Sequence, residues 1–123
     1  MNFINFTNHP SKMWSCEQTK AAINFGTIVD LAFPNITPSA NEQEIQQIGD
    51  DFVSEIVSLS PAAVLCQGEF TLSYYVTHAL KKIGITTLCA CSERIVVDRC
   101  EEEGLLVKTS CFQFVKFREY SNP

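Results

Sequence analysis

The stretch AAVLCQGEFTLSYYVTHAL, residues 62–80, decides the fold. It begins with an uninterrupted apolar run at residues 62–66, which is typical of a parallel β-strand buried on both faces. A polar turn follows at residues 67–69, and apolar residues at roughly helical spacing then continue to a stop at Gly84. A strand, a glycine turn and a helix start direct free backbone N–H groups at an anionic ligand. The same pattern also describes an ordinary βα turn, so both interpretations stay open at this point.

The helix in this stretch is predicted to start just after the polar turn. Its apolar residues recur at Phe70, Tyr74, Ala79, Leu80 and Ile83. Thr71 is placed to cap the first turn of the helix. Gly68 allows the backbone to approach an anionic ligand closely, because it has no Cβ.

Alternating strand and helix patterns are predicted on both sides of this stretch. They are a strand over residues 2–6, a helix capped by Ser15 and ending at Gly26, a strand over 27–33, a long helix opened by a capping box at Ser39 and Glu42, and a strand over 86–91. This alternation predicts parallel βαβ units, and therefore an open α/β sheet with helices on both faces. We interpret residues 1–123 as a single Rossmann-like domain with flavodoxin-like strand order.

The C-terminal part departs from this alternation. Residues 94–99 and 106–120 are rich in Val, Ile and Phe and flank a polar turn at 101–104, a pattern that predicts a β-hairpin extending the sheet. In CFQFVKF, residues 111–117, the period-2 pattern slips between Phe114 and Val115. The slip indicates either a β-bulge or a strand covered on both faces by a partner chain.

Composition restricts the classes of function. The net charge of −5 makes long nucleic acid an unfavourable partner, because its binding depends on phosphate neutralisation. No apolar segment approaches the roughly 20 residues of a membrane span, and the N-terminus does not have the pattern of a signal peptide. The six cysteines form no metal or redox spacing, so we expect reduced thiols in a cytoplasmic protein.

Candidate ligand-binding residues follow the predicted strands. With the strand order 2-1-3-4, the ends of the first and third strands meet across a crevice of the kind that binds ligands in α/β sheets. The predicted site gathers His9 as an acid, base or phosphate partner, with Asn8, Ser11, Gln67, Gly68, Glu69 and Thr71 as ligand-binding residues and Arg94 at its edge. Each of these has a plain structural alternative; Glu69, for example, also suits the first turn of a helix. Neither a dinucleotide nor a P-loop motif is present, and we expect no cofactor and no metal.

Three segments resemble a known family. They are NFTNHPS at residues 5–11, QGEFTLSYYV at 67–76 and ACSER at 90–94. They are similar to small CRISPR-associated proteins of type III systems, which are Rossmann-like domains grouped with the ring nucleases. The resemblance covers most of residues 1–95. It implies an antiviral defence protein whose ligand is a cyclic oligoadenylate, a small cyclic RNA, held against the crevice residues named above.

The resemblance also implies a reaction. In it, a ribose 2′-OH attacks its own 3′-phosphate without a metal, giving a 2′,3′-cyclic phosphate and a 5′-OH. His9 suits proton transfer, and a symmetric ring favours a homodimer that supplies equal half-sites. Two alternatives stay open: a module that sequesters the ligand without cleaving it, and a nucleotide- or phosphosugar-binding enzyme of flavodoxin-like fold.

Overall fold

The computed structural model of the chain describes residues 1–100, 104 and 106–122. In this part of the chain strands and helices alternate as predicted, with a short 3₁₀ turn at Ser11–Met13. The elements are β1 Asn2–Phe6, α1 Cys16–Ile23, β2 Thr27–Asp30, α2 Glu42–Ser58, β3 Pro61–Cys66, α3 Phe70–Lys82, β4 Thr87–Cys100 and β5 Leu106–Glu119. The predicted hairpin turn at residues 101–104 lies outside the described residues, apart from Gly104.

The strands of the described residues form one sheet in the order β2-β1-β3-β4-β5. β1 pairs in parallel with β2 and β3, β3 pairs in parallel with β4, and β5 runs antiparallel to β4. The α/β class and the C-terminal antiparallel hairpin are therefore confirmed. The strand order places β1 beside β3 at the point where the order reverses, which is where open α/β sheets bind ligands.

Helices cover both faces of this sheet, because successive strand residues point to opposite sides. Ile4 and Phe6 of β1 belong to the core beneath α2 and α3. Phe3 points the other way and packs with Ala22 of α1. All four side chains are fully buried, so both faces of β1 lie in the interior.

The helix starts confirm one predicted cap and correct two. Ser15 caps α1, where its side chain accepts a hydrogen bond from the Gln18 N–H at 3.2 Å. The capping box predicted at Ser39 is wrong, because α2 begins two residues later than that box requires. Asn41 forms the box with Glu44 instead. In α3 the predicted cap is also wrong: Glu69, not Thr71, is the N-cap residue.

The face that α3 turns to the core also differs from the prediction. Phe70 and Tyr74 are 90% and 75% exposed, and Ile83 is exposed as well. The buried residues of the helix are Leu72, Val76, Thr77 and Leu80. Two stripes of apolar residues coexist on this helix, and the aliphatic one packs against the strands while the aromatic one faces outward. The helix ends as predicted at Gly84, whose φ is +85°.

Strand lengths depart from the prediction on both sides of the sheet. β2 ends at Asp30 rather than continuing to residue 33. The predicted strands 86–91 and 94–99 are one strand, β4, so the polar residues 92–94 do not end it. Among the described residues, β4 pairs with β3 only at Thr87 and Leu88 and pairs with β5 from Leu88 onward. Residues 89–100 and 106–118 therefore form a two-stranded arm that extends beyond β3.

The slip predicted between Phe114 and Val115 is a β-bulge, as one of the two interpretations proposed. Cys91 is opposite Lys116 and Ser92 is opposite Phe114, so Val115 is the extra residue. An extra residue bends its strand and increases the local twist. The arm therefore changes direction at the carboxyl edge of the sheet.

Two composition-based expectations are addressed by the described residues. Cys16, Cys66, Cys89, Cys91 and Cys111 are free thiols. The sixth cysteine is Cys100, whose side chain lies outside the described residues, so the expectation of a reduced thiol there is not addressed. No helix in the described part of the chain is long and apolar enough to cross a membrane.

Candidate functional site

A cavity of about 740 Å³ lies at the carboxyl edge of the sheet, on the side of α1. We call it the edge cavity. Its walls come from the loop after β1, the first turn of α1, the end of β3 and the arm. The lining residues are Thr7, His9, Met13, Trp14, Ser15, Gln18, Gln67, Ala90, Ser92, Cys111, Phe112, Gln113 and Phe114. The reversal of strand order thus leaves an open crevice here, as the parallel topology predicts.

The loop that carries His9 is held by its backbone. The His9 carbonyl oxygen accepts hydrogen bonds from Asn5 Nδ2 at 2.9 Å and from Trp14 Nε1 at 3.2 Å. Asn5 is buried, and its Nδ2 also donates to Asp30 Oδ1 at 2.9 Å, while its Oδ1 accepts from the Thr7 hydroxyl at 2.8 Å. These bonds fix the main chain, whereas the His9 side chain is exposed and lines the cavity. A fixed loop with a free imidazole is suited to proton transfer with a bound ligand.

Gln67 reaches the same cavity from the end of β3. Its Oε1 accepts a hydrogen bond from the Ala90 N–H of β4 at 2.8 Å, and its own backbone N–H donates to the Phe6 carbonyl at 3.3 Å. The acceptor end of the amide is therefore committed to the protein. The side-chain NH₂ group remains as a donor for a ligand.

Aromatic rings form the apolar walls of the cavity. Trp14 contacts Phe117 edge to face, with ring centroids 6.4 Å apart, and Phe114 contacts the same ring at 4.9 Å. Phe112, which is 78% exposed, continues the wall along the arm. Exposed aromatic faces beside polar donors are the features on which nucleobases stack. Among the lining residues there is no Lys, Arg, Asp or Glu.

The N-terminus of α3, predicted as an anion site, is occupied by the chain itself. The Glu69 carboxylate accepts from the Thr71 N–H at 2.7 Å, from the Leu72 N–H at 3.1 Å and from the Thr71 hydroxyl at 2.7 Å. Hydrogen bonds from the Thr71 side chain and backbone lower the pKa of Glu69 below its ordinary value. The carboxylate thus takes the position that an anionic ligand would occupy and repels a second negative charge. A lowered pKa also does not suit a general base, which works best near the operating pH.

Gly68 has a packing role in this turn. A Cβ on Gly68 would lie 2.5 Å from three atoms of the Phe33 ring. Phe33 is 4% exposed and packs on Phe6, with ring centroids 4.8 Å apart, so its ring has little room to move. The absence of a side chain at Gly68 is therefore explained by Phe33 before any ligand is considered.

The remaining predicted residues do not line the edge cavity. Ser11 is bound to β2: its N–H and hydroxyl donate to the Asp30 carboxylate at 3.2 and 3.0 Å. Arg94 is opposite Phe112 on the arm, and its Nε donates to the Ser110 hydroxyl at 3.1 Å. Of the predicted set, the structure brings His9 and Gln67 together at the cavity. It does not bring there Asn8, Ser11, Gly68, Glu69, Thr71 or Arg94.

The sequence-based prediction did not include an anchoring carboxylate and two aromatic residues that are important to the cavity. Asp30, which anchors the loop of His9, had a signal in the sequence: it is the single charged residue within TIVDLAF, residues 27–33. Trp14 and Phe112 had none, because their place in the wall depends on how the loop and the arm fold back. As for metals, the described residues contain no group of three or more His, Cys, Asp or Glu side chains arranged to hold an ion.

Comparison with known proteins gives one family. The family model described as "Uncharacterized protein MJ1673 family" matches residues 1–118, which include every described element up to the last residues of β5. No curated protein and no solved structure matches the chain. Because the match spans nearly the whole sequence, the chain belongs to the Uncharacterized protein MJ1673 family.

Proposed function

We propose that the edge cavity binds a cyclic oligoadenylate second messenger. The observation that carries the proposal is the meeting of His9 and Gln67, from the ends of β1 and β3, beside the aromatic wall of Trp14, Phe112 and Phe114. The ligand class itself comes from the resemblance to type III CRISPR-associated proteins. In this proposal the strand order reflects a Rossmann-like, flavodoxin-like fold, and the protein acts in the cytoplasm, where such a messenger is made.

The cavity supplies the contacts that an adenine nucleotide needs. Adenine presents ring-nitrogen acceptors, which match the free NH₂ group of Gln67, and a flat face, which matches the rings of Trp14 and Phe112. A volume of about 740 Å³ is in the usual range for a pocket that encloses one drug-sized ligand. A ring of several nucleotides is larger than that, so the proposal requires two cavities to share one ring.

The arm supports a homodimer as the way to bring two cavities together. Val96, Phe112 and Val115 are 58%, 78% and 55% exposed on the arm. A two-stranded hairpin that extends from its sheet is only marginally stable in water unless something covers it. A second copy of the chain, related by a two-fold axis, covers the arm and supplies an equal half-site. Light scattering at micromolar concentration should therefore give a dimeric mass, and a monomeric mass with and without ligand would contradict this step.

Cleavage is a second step of the proposal, and it depends on His9. His9 takes the proton of a ribose 2′-OH, whose oxygen forms a bond to the adjacent phosphorus while the bond from phosphorus to the 5′-oxygen breaks. The 5′-oxygen receives a proton from the imidazolium, which leaves a 2′,3′-cyclic phosphate and a 5′-OH. No electrons are transferred and no metal takes part. Positioning of the sugar and phosphate in line supplies most of the catalysis.

Sequestration without cleavage is the second candidate. Two observations favour it: Glu69 occupies the N–H groups that were expected to stabilise the phosphate, and the cavity lining contains no Lys or Arg. Binding by stacking and amide contacts does not need those charges, whereas stabilising the developing charge of a transition state does. An enzyme acting on other nucleotides or phosphosugars stays the third alternative.

One experiment separates these functions. The protein is titrated with cyclic tetra-adenylate in a chelator, and the emission of Trp14, the single tryptophan, is followed while products are resolved by chromatography. We expect saturable quenching of the Trp14 emission whether the ring is only bound or also cleaved. If the ring is cleaved, chromatography should also show a linear product with a 2′,3′-cyclic phosphate end. Phe112→Ala should weaken binding by about tenfold or more, the cost of one lost stacking contact. Phe70→Ala, at a phenylalanine that is 90% exposed and lies outside the edge cavity, should not weaken it; absence of any binding by the wild type would refute the proposal.

A further inference from the structure

The cysteines of β4 lie on the face opposite the edge cavity. Ala90 lines the cavity and packs on the α1 side of the sheet. Because strand residues alternate, Cys89 and Cys91 both point to the other side, with their sulfurs on one face two residues apart. Both are half-buried, so small thiol reagents reach them, unlike Cys66, which is fully buried.

Two basic residues of β5 lie opposite this pair of cysteines. In the register of the hairpin, Arg118 is opposite Cys89 and Lys116 is opposite Cys91, and opposite residues share a face of the sheet. The thiolate is the form of a cysteine that attacks a disulfide. Burial and the neighbouring Cys91 raise the pKa of Cys89, so we assign Cys89 the second step, which closes the bond.

The spacing permits a bridge but makes it strained. Residues two apart on an extended strand are about 6.6 to 6.8 Å apart at Cα, given a rise of about 3.3 to 3.4 Å per residue. Disulfides usually join Cα atoms about 4.4 to 6.8 Å apart and Cβ atoms about 3.5 to 4.5 Å apart, so a bridge here requires the strand to bend and bring the two Cβ atoms together. Strained disulfides are easily reduced, and these are the ones that serve as regulatory or catalytic bonds. The extra residue Val115 lies on β5 opposite this segment, where it bends β5 and interrupts the regular pairing with β4 just after Cys91.

We propose that Cys89 and Cys91 form a reversible redox site whose oxidation alters the edge cavity. The oxidant is a low-molecular-weight disulfide. The Cys91 thiolate attacks one of its sulfurs and releases one thiol, and the Cys89 sulfur then displaces the second thiol to close the Cys89–Cys91 bond. Two protein thiols are oxidised and one small disulfide is reduced to two thiols, so atoms and electrons balance.

The link to the cavity is the residue between the two cysteines. The Ala90 N–H donates to Gln67 Oε1 at 2.8 Å and so fixes the amide that faces the cavity. Closing the bridge draws the Cα atoms of Cys89 and Cys91 together and reorients the peptide N–H between them. Gln67 then loses its anchor. This second step rests on the function proposed for the cavity, whereas the formation of the bond does not.

The test uses the full chain in glutathione buffers of increasing oxidising strength. Peptide mapping by mass spectrometry should find a Cys89–Cys91 bond that reduction reverses, and Cys91→Ser should abolish it. Cys16→Ser, at an exposed thiol on α1, is the matched control and should not change it. No bond under any buffer, or a bond that joins a different pair, would overturn the redox site.

The effect of the Cys89–Cys91 bond on the edge cavity is measured separately from the bond itself. Oxidation should change the emission of Trp14 and weaken binding of cyclic tetra-adenylate by about tenfold, the order expected when one positioned hydrogen bond is lost. Neither change should occur in Cys91→Ser. If the wild type binds no cyclic tetra-adenylate even when reduced, the proposed function fails while the mapped bond still establishes the redox site. If the bond forms and neither signal changes, the coupling is refuted.

Discussion

The two sides of the carboxyl edge of the sheet can be compared directly. On the α1 side, the loop after β1 leaves the His9 side chain free beside a cavity of about 740 Å³. On the α3 side, Gly68 packs against Phe33 and Glu69 turns back onto the N–H groups of its own helix. Both sides consist of a strand end, a polar loop and a helix start. Both helix N-termini are capped by their own chain, α1 by Ser15 and α3 by Glu69, so the two sides differ in whether side-chain packing leaves a cavity beside the strand end.

We call the α1 side, with its cavity, the open side and the α3 side the closed side. The largest expected effect is a loss of turnover on the open side. His9→Ala should reduce turnover of cyclic tetra-adenylate by about 10²- to 10⁴-fold, the usual contribution of general acid–base catalysis, while binding persists. His78→Ala is the matched control, since His78 is the other histidine and stacks on Tyr74 along the exposed face of α3. Equal turnover in both variants would remove His9 from the chemistry. If the wild type binds the ring without turning it over, His9→Ala can change only the affinity, and sequestration is favoured.

The next effect tests whether the closed side is closed by packing. Gly68→Ala should destabilise the fold by about 1 to 3 kcal/mol, because the new Cβ overpacks the buried Phe33 ring. Phe33→Leu in the same chain should recover part of that loss by making room, so the two changes are not additive. Urea unfolding of the two single variants and the double variant measures the coupling. If the changes in the free energy of unfolding are fully additive, contact with Phe33 is not the reason that position 68 requires a glycine.

A smaller effect tests whether the closed side is closed by charge. Glu69→Ala should cost about 0.5 to 1 kcal/mol, the lower part of the range for loss of a helix cap. Glu17→Ala is the control, because Glu17 lies in the first turn of α1, where Ser15 is the cap. Affinity for cyclic tetra-adenylate should be unchanged in both variants. Stronger binding in Glu69→Ala would mean that the N-terminus of α3 competes for the ligand.

The same cap predicts a pH dependence with a definite sign. The pKa of Glu69 is lowered from its ordinary value of 4.5, so its contribution to stability is fully present above that value. It is lost as the pH falls through the lowered pKa. The stability difference between wild type and Glu69→Ala should therefore shrink as the pH is taken below about 4.5. A difference that stays constant across that window would show that the ionised carboxylate does not cap α3.

The smallest expected effect concerns a thiol near the closed side. Burial raises the pKa of the Cys66 thiol to about 11, which keeps it protonated near neutral pH. Cys66 should therefore react with iodoacetamide only when the chain unfolds, whereas the exposed Cys16 should react promptly in the native protein. Site-resolved mass spectrometry of timed samples gives both rates. Equal rates at pH 8 would contradict the burial of Cys66 in the core.

The sequence by itself determined the elements and the core of the parallel strands. The apolar run at residues 62–66 predicted a parallel strand buried on both faces, and residues 63–66 of β3 are buried. Gly84 and Ser15 marked the end of one helix and the start of another, because these signals depend on residues close in the chain. The slip at Val115 predicted either a bulge or a strand covered by a partner chain, and the strand pairing identifies a bulge.

Only the tertiary structure decided which strand end is open. The sequence pattern at Gln67–Gly68–Glu69 is compatible with a free anion site and with a self-capped helix, and the choice depends on where the Glu69 carboxylate turns and where Phe33 packs. The open site likewise depends on distant residues: Asp30 and Asn5 hold the loop of His9, and Phe112 lines the cavity from the arm, far along the chain from that loop. Local spacing specifies elements, since helix and strand periods are short-range. A site is specified by contacts between residues far apart in the chain, which no local pattern records.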